Sequence, residues 1–538
     1  MLLATNFSFR RCFLQFKLGL PSLFCLRFTS LFLLAIVSIL YLLQNSNDTK
    51  SISKASKWTV FSLENGHQND SNKWTVPSTE CQRVFGGDKA LVQRLVRHRR
   101  KISDPPPDAL AMSCEAILAR HGDEELLAQQ RWDNDKQQQQ NGRRRTTKND
   151  GTSIERTELE RQMPMAFARV VYTDYLFLEA ELLVHYAPTN WYCYVFDSKS
   201  SAVFQRRVRQ LASCFPNVLV VDQLFDISSN GSNMNTAVME CVRTLSDERK
   251  RWKYLVTLQN HDVQAKTNAE MAQIFTWLGG ANDVEVELRL GHTRKRIEYY
   301  QRKFNWTFEA LHLFKDEAMN RRTDSAGKPL ALRLSKGYMA VSLAREFVDF
   351  VLKELNVTRL LAQLNGGFFG MDEHFWQSLS GSESVDAPGG FPHECFMKGN
   401  GSFSKYKYIT RFAKWSDSSP GKCLSGNWRH SVCVFGLEDL LGPSSEMDRL
   451  PHLFVNKLMP GFDLDAVLCW HQRMRQRRRS GRTELDMAFY RDWPQVRYQK
   501  KRRLRKKLGA NGTATAPTDS CESEEVTTTT QQIIDKIK

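Results

Sequence analysis

Ten residues at 370–379, GMDEHFWQSL, place two adjacent carboxylates, Asp372 and Glu373, beside His374 and the aromatic pair Phe375 and Trp376. A carboxylate in such a block can act as a general base, taking a proton from an attacking hydroxyl. The same acidic pair at a helix start can instead be an N-terminal cap or a counter-charge to the helix dipole. Together with HLFVNK at 452–457, the block points to an enzyme rather than a binding module. The two aromatics read as core. His374 and His452 read as hydrogen-bonded structural residues rather than acid–base groups.

No glycine-rich phosphate loop accompanies these groups. Neither GxGxxG nor GxxxxGK[ST] occurs, which disfavours a P-loop or a dinucleotide-binding fold. Two Asp-x-Asp pairs occur, Asp133 with Asp135 in polar sequence and Asp463 with Asp465 beyond HLFVNK. Neither follows a strand-like run of the alternating pattern described next, so no metal is expected. A diphosphate leaving group would then need cationic side chains in a metal's place. No CxxC pair is present, and zinc is not expected.

The elements that must position the chemistry come from an alternation of short apolar runs with longer amphipathic ones. MAFARVVY (165–172), WYCYVF (191–196), NVLVV (217–221) and YLVTL (254–258) read as buried strands. LFLEAELLVHY (176–186), AVFQRRVRQLASC (202–214) and MNTAVMECVRTL (234–245) read as the helices between them. That order predicts an α/β fold, a parallel sheet covered on both faces, with ligands at the carboxyl ends of the strands. Asp197 sits just past the second strand, where it could accept from a nucleotide's base or ribose, or cap the next helix.

Three segments lack the periodicity of a core: a stem at 44–80, an insertion at about 136–151 (KQQQQNGRRRTTKNDG) and the stretch from 473 to 538, all read as disordered. The folded catalytic region then spans 81–472, with no internal repeat. The formal charge is +17, and residues 473–507 alone carry 15 basic and 3 acidic side chains. Such runs are usually solvated, and here no nucleic-acid partner is expected; an acidic glycan or a protein partner could still meet them.

Location follows from the N-terminus. Residues 1–27 include Arg10, Arg11, Lys17 and Arg27, and an uncharged, mostly apolar run at 28–43 is followed by the polar QNSNDTK. Basic residues on one side only predict a single-pass type II signal anchor, N-terminus in the cytosol; the competing reading is a cleaved signal peptide. Of 12 cysteines, ten lie beyond the apolar run, an inventory suited to an oxidising compartment. Sequons at Asn47, Asn69, Asn230, Asn305, Asn356, Asn400 and Asn511 agree with luminal surface loops.

Nine blocks in one order, AFARVVY, NWYCYVFDSK, CFPNVLV, WKYLVTLQNHDVQAKTNAEM, LSKGYMAVSLAREFVDFVL, MDEHFWQSL, RFAKW, RHSVCVFG and HLFVNK, resemble the core-2/I-branching β-1,6-N-acetylglucosaminyltransferases. TECQRVFGGD (79–88) and AMSCEAI (111–117) resemble that family's pre-catalytic region. The resemblance implies a GT-A-like variant on a type II Golgi membrane anchor and stem, with no metal or other cofactor beyond the UDP-sugar donor. It implies that Glu373 is the catalytic base and that Lys457 pairs with the donor diphosphate. Arg429 or His430 shares that task, and Asp197 contacts the uridine. Glu285 or Glu287, with Arg294 or Lys295, stands in for donor- and sugar-contacting residues. It pairs Cys81 with Cys469, Cys114 with Cys214, Cys193 with Cys241 and Cys423 with Cys433, leaving Cys395 and Cys521 free or intermolecular.

The chain departs from the family where CGxDFPIKTN becomes QNHDVQAKTN, where Met371 replaces the proline before Asp-Glu, and where Ser198 replaces an arginine. These changes bear on donor and acceptor choice. The leading expectation is inverting transfer of GlcNAc from UDP-GlcNAc, in β-1,6 linkage, onto galactose or N-acetylgalactosamine of an O-glycan acceptor. The alternatives are a peptide O-xylosyltransferase using UDP-xylose and a catalytically degenerate glycan- or partner-binding membrane protein. The oligomeric state is not readable from the sequence.

Overall fold

Apolar runs too short for buried helices become strands, and the computed structural model places them as the spacing predicts. It describes residues 77–121, 158–286, 291–367, 369–398, 408–416, 423–443, 445–481 and 485–510. The expected cytosolic segment, anchor and 136–151 insertion, and nearly all of the stem, lie outside the described residues. Among those described, no helix is long and apolar enough to cross a membrane.

Strands β1 (Met165–Val171), β2 (Trp191–Asp197), β3 (Val218–Phe225) and β4 (Tyr254–Leu258) alternate with helices Tyr175–His185, Ala202–Ser213 and Met234–Leu245. Six short strands follow: β5 (Asp262–Gln264), β6 (Ser342–Ala344), β7 (Arg411–Ala413), β8 (Trp428–Arg429), β9 (Val432–Cys433) and β10 (Phe454–Asn456). The central sheet runs β3-β2-β1-β4-β6, parallel except for β6, which is antiparallel to β4. The fold is thus mixed α/β around a mostly parallel sheet.

β1 is buried along its whole length, and both faces of its pleat are apolar except at Arg169, which lies 3.7 Å from Glu181. Met165, Phe167 and Val171 join the core formed with helices Tyr175–His185, Ala202–Ser213 and Leu464–Ser480. Ala166, Ala168 and Val170 join the opposite core, with helices Met234–Leu245 and Arg345–Lys353. The small residues on that face admit a close helix, and the Cys193–Cys241 disulfide fastens β2 to it.

A second sheet, β5-β10-β7, gathers three of the sequence blocks: β10 pairs antiparallel with β5 and parallel with β7. One carboxylate helps join it to the first, beside the Ser342–Thr410 hydroxyl contact at 2.7 Å and the Arg169 hydrogen bond to Asp262 O at 3.0 Å. Asp283 exchanges backbone hydrogen bonds with Ser342 of β6 at 2.8 and 3.0 Å. Its Oδ2 accepts from Ile409 N–H (3.1 Å), Thr410 N–H (2.7 Å) and the Thr410 hydroxyl (2.6 Å), immediately before β7. Burial pushes this carboxyl up to about 6 against the pull of those donors.

The Cys81–Cys469, Cys114–Cys214, Cys193–Cys241 and Cys423–Cys433 bonds all form. Cys395 is also disulfide-bonded, which corrects its reading as a residue left over and free.

The stretch from 473 onward is a second correction. Helix Leu464–Ser480 runs through the expected boundary, and helices Met487–Arg491 and Pro494–Ala510 follow it. Tyr490, Trp493 and Val496 are buried; Tyr490 stacks on Trp277 at 6.0 Å and donates its hydroxyl to Pro451 O at 2.9 Å. Sparse apolar residues among many cations hide this inward face from a composition reading. Truncation after Gly481 should cost stability equivalent to burying these three side chains, at least about 3 kcal/mol. Thermal melting checks it, and an unchanged midpoint would show that the last two helices do not pack.

Candidate active site

The acidic block begins at Gly370, whose backbone is left-handed (φ 63°). A Cβ there would lie 2.5 Å from Arg296 Nη1 and 2.6 Å from Glu373 Oε2, so the turn requires glycine on two counts. Met371–Glu373 form a 3₁₀ turn leading into helix Phe375–Gly381. Neither carboxylate makes a side-chain cap hydrogen bond, which removes capping as their role. Glu373 Oε2 accepts from Arg296 Nη1 at 2.6 Å and lies 3.4 Å from Lys336 Nζ.

Asp372 is pressed under the loop at 228–235. A Cβ on Gly231 would lie 2.1 Å from Asp372 Oδ1, Met371 N–H donates to Asn230 O at 3.1 Å, and Asn235 Nδ2 donates to Asp372 O at 3.3 Å. Burial, reinforced by the neighbouring Glu373 charge, holds the Asp372 carboxyl well above the usual range. Asn230 is only partly exposed there, and its carbonyl meets the 371–373 turn, whereas Asn305 and Asn356 are exposed. His374 is fully buried, donates through Nδ1 to Ser335 O at 2.9 Å, and is pushed down to about 4 by desolvation, as a structural histidine should be. Phe375 and Trp376 have no exposed surface and belong to the core.

Lys457 follows β10 directly. Asn456 Nδ2, one residue earlier, donates to Asp262 Oδ1 at 2.7 Å. From β7, Arg411 donates to Gln259 Oε1 at 2.6 Å and lies 5.2 Å above the Tyr338 ring, which itself stacks on Trp415 at 6.0 Å. Burial first, then the positive charges of Arg411 and Arg429, pushes the Lys457 ammonium down to about 8, with Asp262 opposing. The Arg411 charge acts on Asp372 as well as on Lys457, so this arginine electrostatically links the acidic turn and the cationic group.

Arg429 ends β8, and His430 (φ 52°) and Ser431 (φ 62°), both left-handed, close the β8–β9 hairpin. That turn shape favours Asn-Gly, and holding two larger residues in it stores backbone strain. Lys457 Nζ is 3.5 Å from Arg429 O, and the Arg429 side chain reaches the Tyr172 hydroxyl at 3.5 Å. His430 is pushed down by burial and by the Lys457 and Arg429 charges. Both residues therefore adjoin Lys457.

Asp197, at the end of β2, also acts on Tyr172. Its Oδ1 accepts from Lys199 N–H at 3.0 Å and lies 2.9 Å from Lys199 Nζ. Ser201, not Asp197, caps the following helix, which removes the alternative role. Glu285 Oε2 accepts from Tyr338 N–H at 3.2 Å, so it braces the aromatic floor. Lys295 is exposed, and its neighbour Arg296 is the one that meets Glu373. Glu287 and the Arg294 side chain lie outside the described residues.

Arg296, Lys336, Tyr338 and Arg411 were not singled out from the sequence, although LSKGYM and RFAKW contain three of them. The Asp463-x-Asp465 pair is engaged elsewhere: Asp463 caps helix Leu464–Ser480 and pairs with Arg99, and Asp465 pairs with Arg100. The other Asp-x-Asp pair lies outside the described residues. Among the described residues no cluster of three or more His, Cys, Asp or Glu forms a metal-binding group.

The family model described as Core-2/I-Branching enzyme matches residues 165–442. The Mus musculus protein named beta-1,3-galactosyl-O-glycosyl-glycoprotein beta-1,6-N-acetylglucosaminyltransferase 3 is 28% identical over 339 residues, 62% of this chain and 72% of the relative. The Homo sapiens protein of the same name is 29% identical over 323 residues, 59% of this chain and 69% of the relative. A Mus musculus N-acetyllactosaminide beta-1,6-N-acetylglucosaminyl-transferase is 29% identical over 326 residues, 59% of this chain and 74% of the relative.

An anion beside Lys457 binds its protonated form, and that proton leaves as pH rises through about 8. UDP affinity measured by calorimetry should therefore fall above pH 8, by about tenfold per unit. Lys457→Arg, charged throughout, should flatten that limb; a pH-independent affinity in the unaltered protein would remove Lys457 from the anion site.

Proposed function

This chain belongs to the core-2/I-branching enzyme family and is a glycosyltransferase, and from that premise we propose that it moves GlcNAc from UDP-GlcNAc, with inversion and without a metal, onto the 6-hydroxyl of a galactose or N-acetylgalactosamine in an O-glycan. The observation that carries the reading is the pairing in one fold of a carboxylate oriented by Arg296 and Lys336, Glu373, with a cluster of cations, Arg411 and Arg429, around Lys457. Single-displacement transfer needs those two things: a base for the acceptor hydroxyl and positive charge for the departing diphosphate.

In this reading Glu373 takes the hydroxyl proton as that oxygen attacks the anomeric carbon from the face opposite UDP. The C1–O bond to the diphosphate breaks, and Lys457, with Arg429 or His430, receives the charge on the leaving group. Asp197 accepts from the uridine, across Tyr172 from Arg429. Arg296 and Lys336 hold the Glu373 oxygens in place. Glu285, Glu287, Arg294 and Lys295 remain proposed sugar contacts, Glu285 acting through the Tyr338 platform. The basic N-terminal segment, the apolar run at 28–43 and four formed disulfides support a type II protein of the Golgi membrane.

The full-length protein, offered UDP-GlcNAc, UDP-xylose or UDP-GalNAc with a core-1 O-glycan or a serine-glycine peptide, should release UDP from UDP-GlcNAc equally in EDTA and in Mn²⁺. Preference for UDP-xylose would replace this reading with peptide xylosylation. Glu373→Gln should lower turnover by about 10²- to 10⁴-fold while leaving UDP affinity nearly intact. Unchanged turnover in that variant would take Glu373 out of the base role.

A further inference from the structure

The helix Pro494–Ala510 carries eight cations, Arg497, Lys500, Lys501, Arg502, Arg503, Arg505, Lys506 and Lys507, and no acidic residue. Its inward side is well fixed. Trp493, Gln495, Val496 and Gln499 are buried, and the Gln499 amide donates to Gly390 O. Arg502 donates to Ala387 O at 2.7 Å and to Asp386 O at 2.8 Å, and pairs with the Asp386 carboxylate at 2.9 Å. Arg503 lies 3.3 Å from Glu346. Arg497 and Lys500 stay exposed.

This arrangement opposes helix formation. Arg497 with Lys501 and Lys501 with Arg505 are like charges one turn apart, each pair repulsive. Packing against the 386–390 segment keeps the repelling row helical and pre-assembled. From Arg497 to Lys507 the row covers about 15 Å of the helix.

We propose that the outward face of this helix is a docking surface for a linear polyanionic glycan, a sulfated or carboxylated polysaccharide chain. A helix that lies on a membrane turns Trp, Phe or Leu side chains outward into the lipid. Here Trp493, Val496 and Gln499 face the protein and Leu504 is only half-exposed, so the exposed side chains among those described on this helix are the cations Arg497, Lys500 and Arg503. Disulfides in the same body belong to a compartment without nucleic acid, so the polymer's charge comes from sulfate or carboxylate groups. The surface is separate from the donor and acceptor groups, and its test stands whether or not the proposed transfer reaction holds.

The full-length protein should be retained on immobilised heparin at about 0.15 M NaCl. Arg497→Glu/Lys500→Glu should weaken heparin binding at least tenfold and lower the dependence of log affinity on log salt by about two. Arg321→Glu/Arg322→Glu, an equal charge change at two other exposed arginines, should weaken it less than twofold. Amides of 494–510 should gain hydrogen-exchange protection with a heparin oligosaccharide. Equal losses in both variants, or no loss in the first with its thermal midpoint unchanged, would overturn the proposal. So would phosphatidylserine-vesicle binding with the same sensitivity to Arg497 and Lys500, which would assign the face to a membrane.

Discussion

One buried carboxylate registers the two sheets, and the site depends on that registration. Asp283 takes three hydrogen bonds from Ile409 and Thr410 while its backbone pairs with Ser342 at the sheet edge. An ionisable group so deeply placed is costly unless its lone pairs are used. Three donors on one oxygen offset much of that cost. They also fix where Arg411 leaves β7, because Arg411 is the next residue after Thr410. A shift of this joint would move Arg411 relative to both Asp372 and Lys457, which lie on different elements.

Charge in the site is arranged by burial as much as by pairing. Glu373 is oriented by two cations, and Asp372 beside it is starved of solvent. On the other side, burial first, and then the crowding of Arg411 and Arg429, leaves the Lys457 ammonium poorly stabilised, with Asp262 opposing. Such a cluster favours an incoming polyvalent anion, since an anion relieves the repulsion that the fold imposes.

Much of this was legible in the chain because parallel strands buried on both faces write themselves as continuous apolar runs. β1, β2 and β4 lie within a residue of their expected bounds, while β3 runs on to Phe225 through residues exposed enough to break the apolar signal. Glu373 and Lys457 were readable as types in ordered blocks. Arg296 was not, because a basic helix such as Gly291–Lys303 offers several arginines and lysines of equal standing, and only tertiary contact selects one. The C-terminal helices were misread for a related reason: a single stripe of Tyr490, Trp493, Val496 and Gln499 carries their packing, and fifteen cations across 473–507 outvote it in any composition average. The alternative capping roles of Asp197 and of the acidic pair could be separated only by seeing where the nearby amide donors point.

The Cys81–Cys469 bond joins residues 388 apart, whereas the other three pairs described are separated by 100, 48 and 10. During synthesis, Cys81 leaves the ribosome long before its partner exists. Until then its sulfur can only stay a thiol or sit in a disulfide that can still exchange, while every other partner pair described here becomes available. The bond that closes the body can therefore form only in a chain made through helix Leu464–Ser480: one arrested earlier has no native partner for the cysteine in helix Ser78–Phe85.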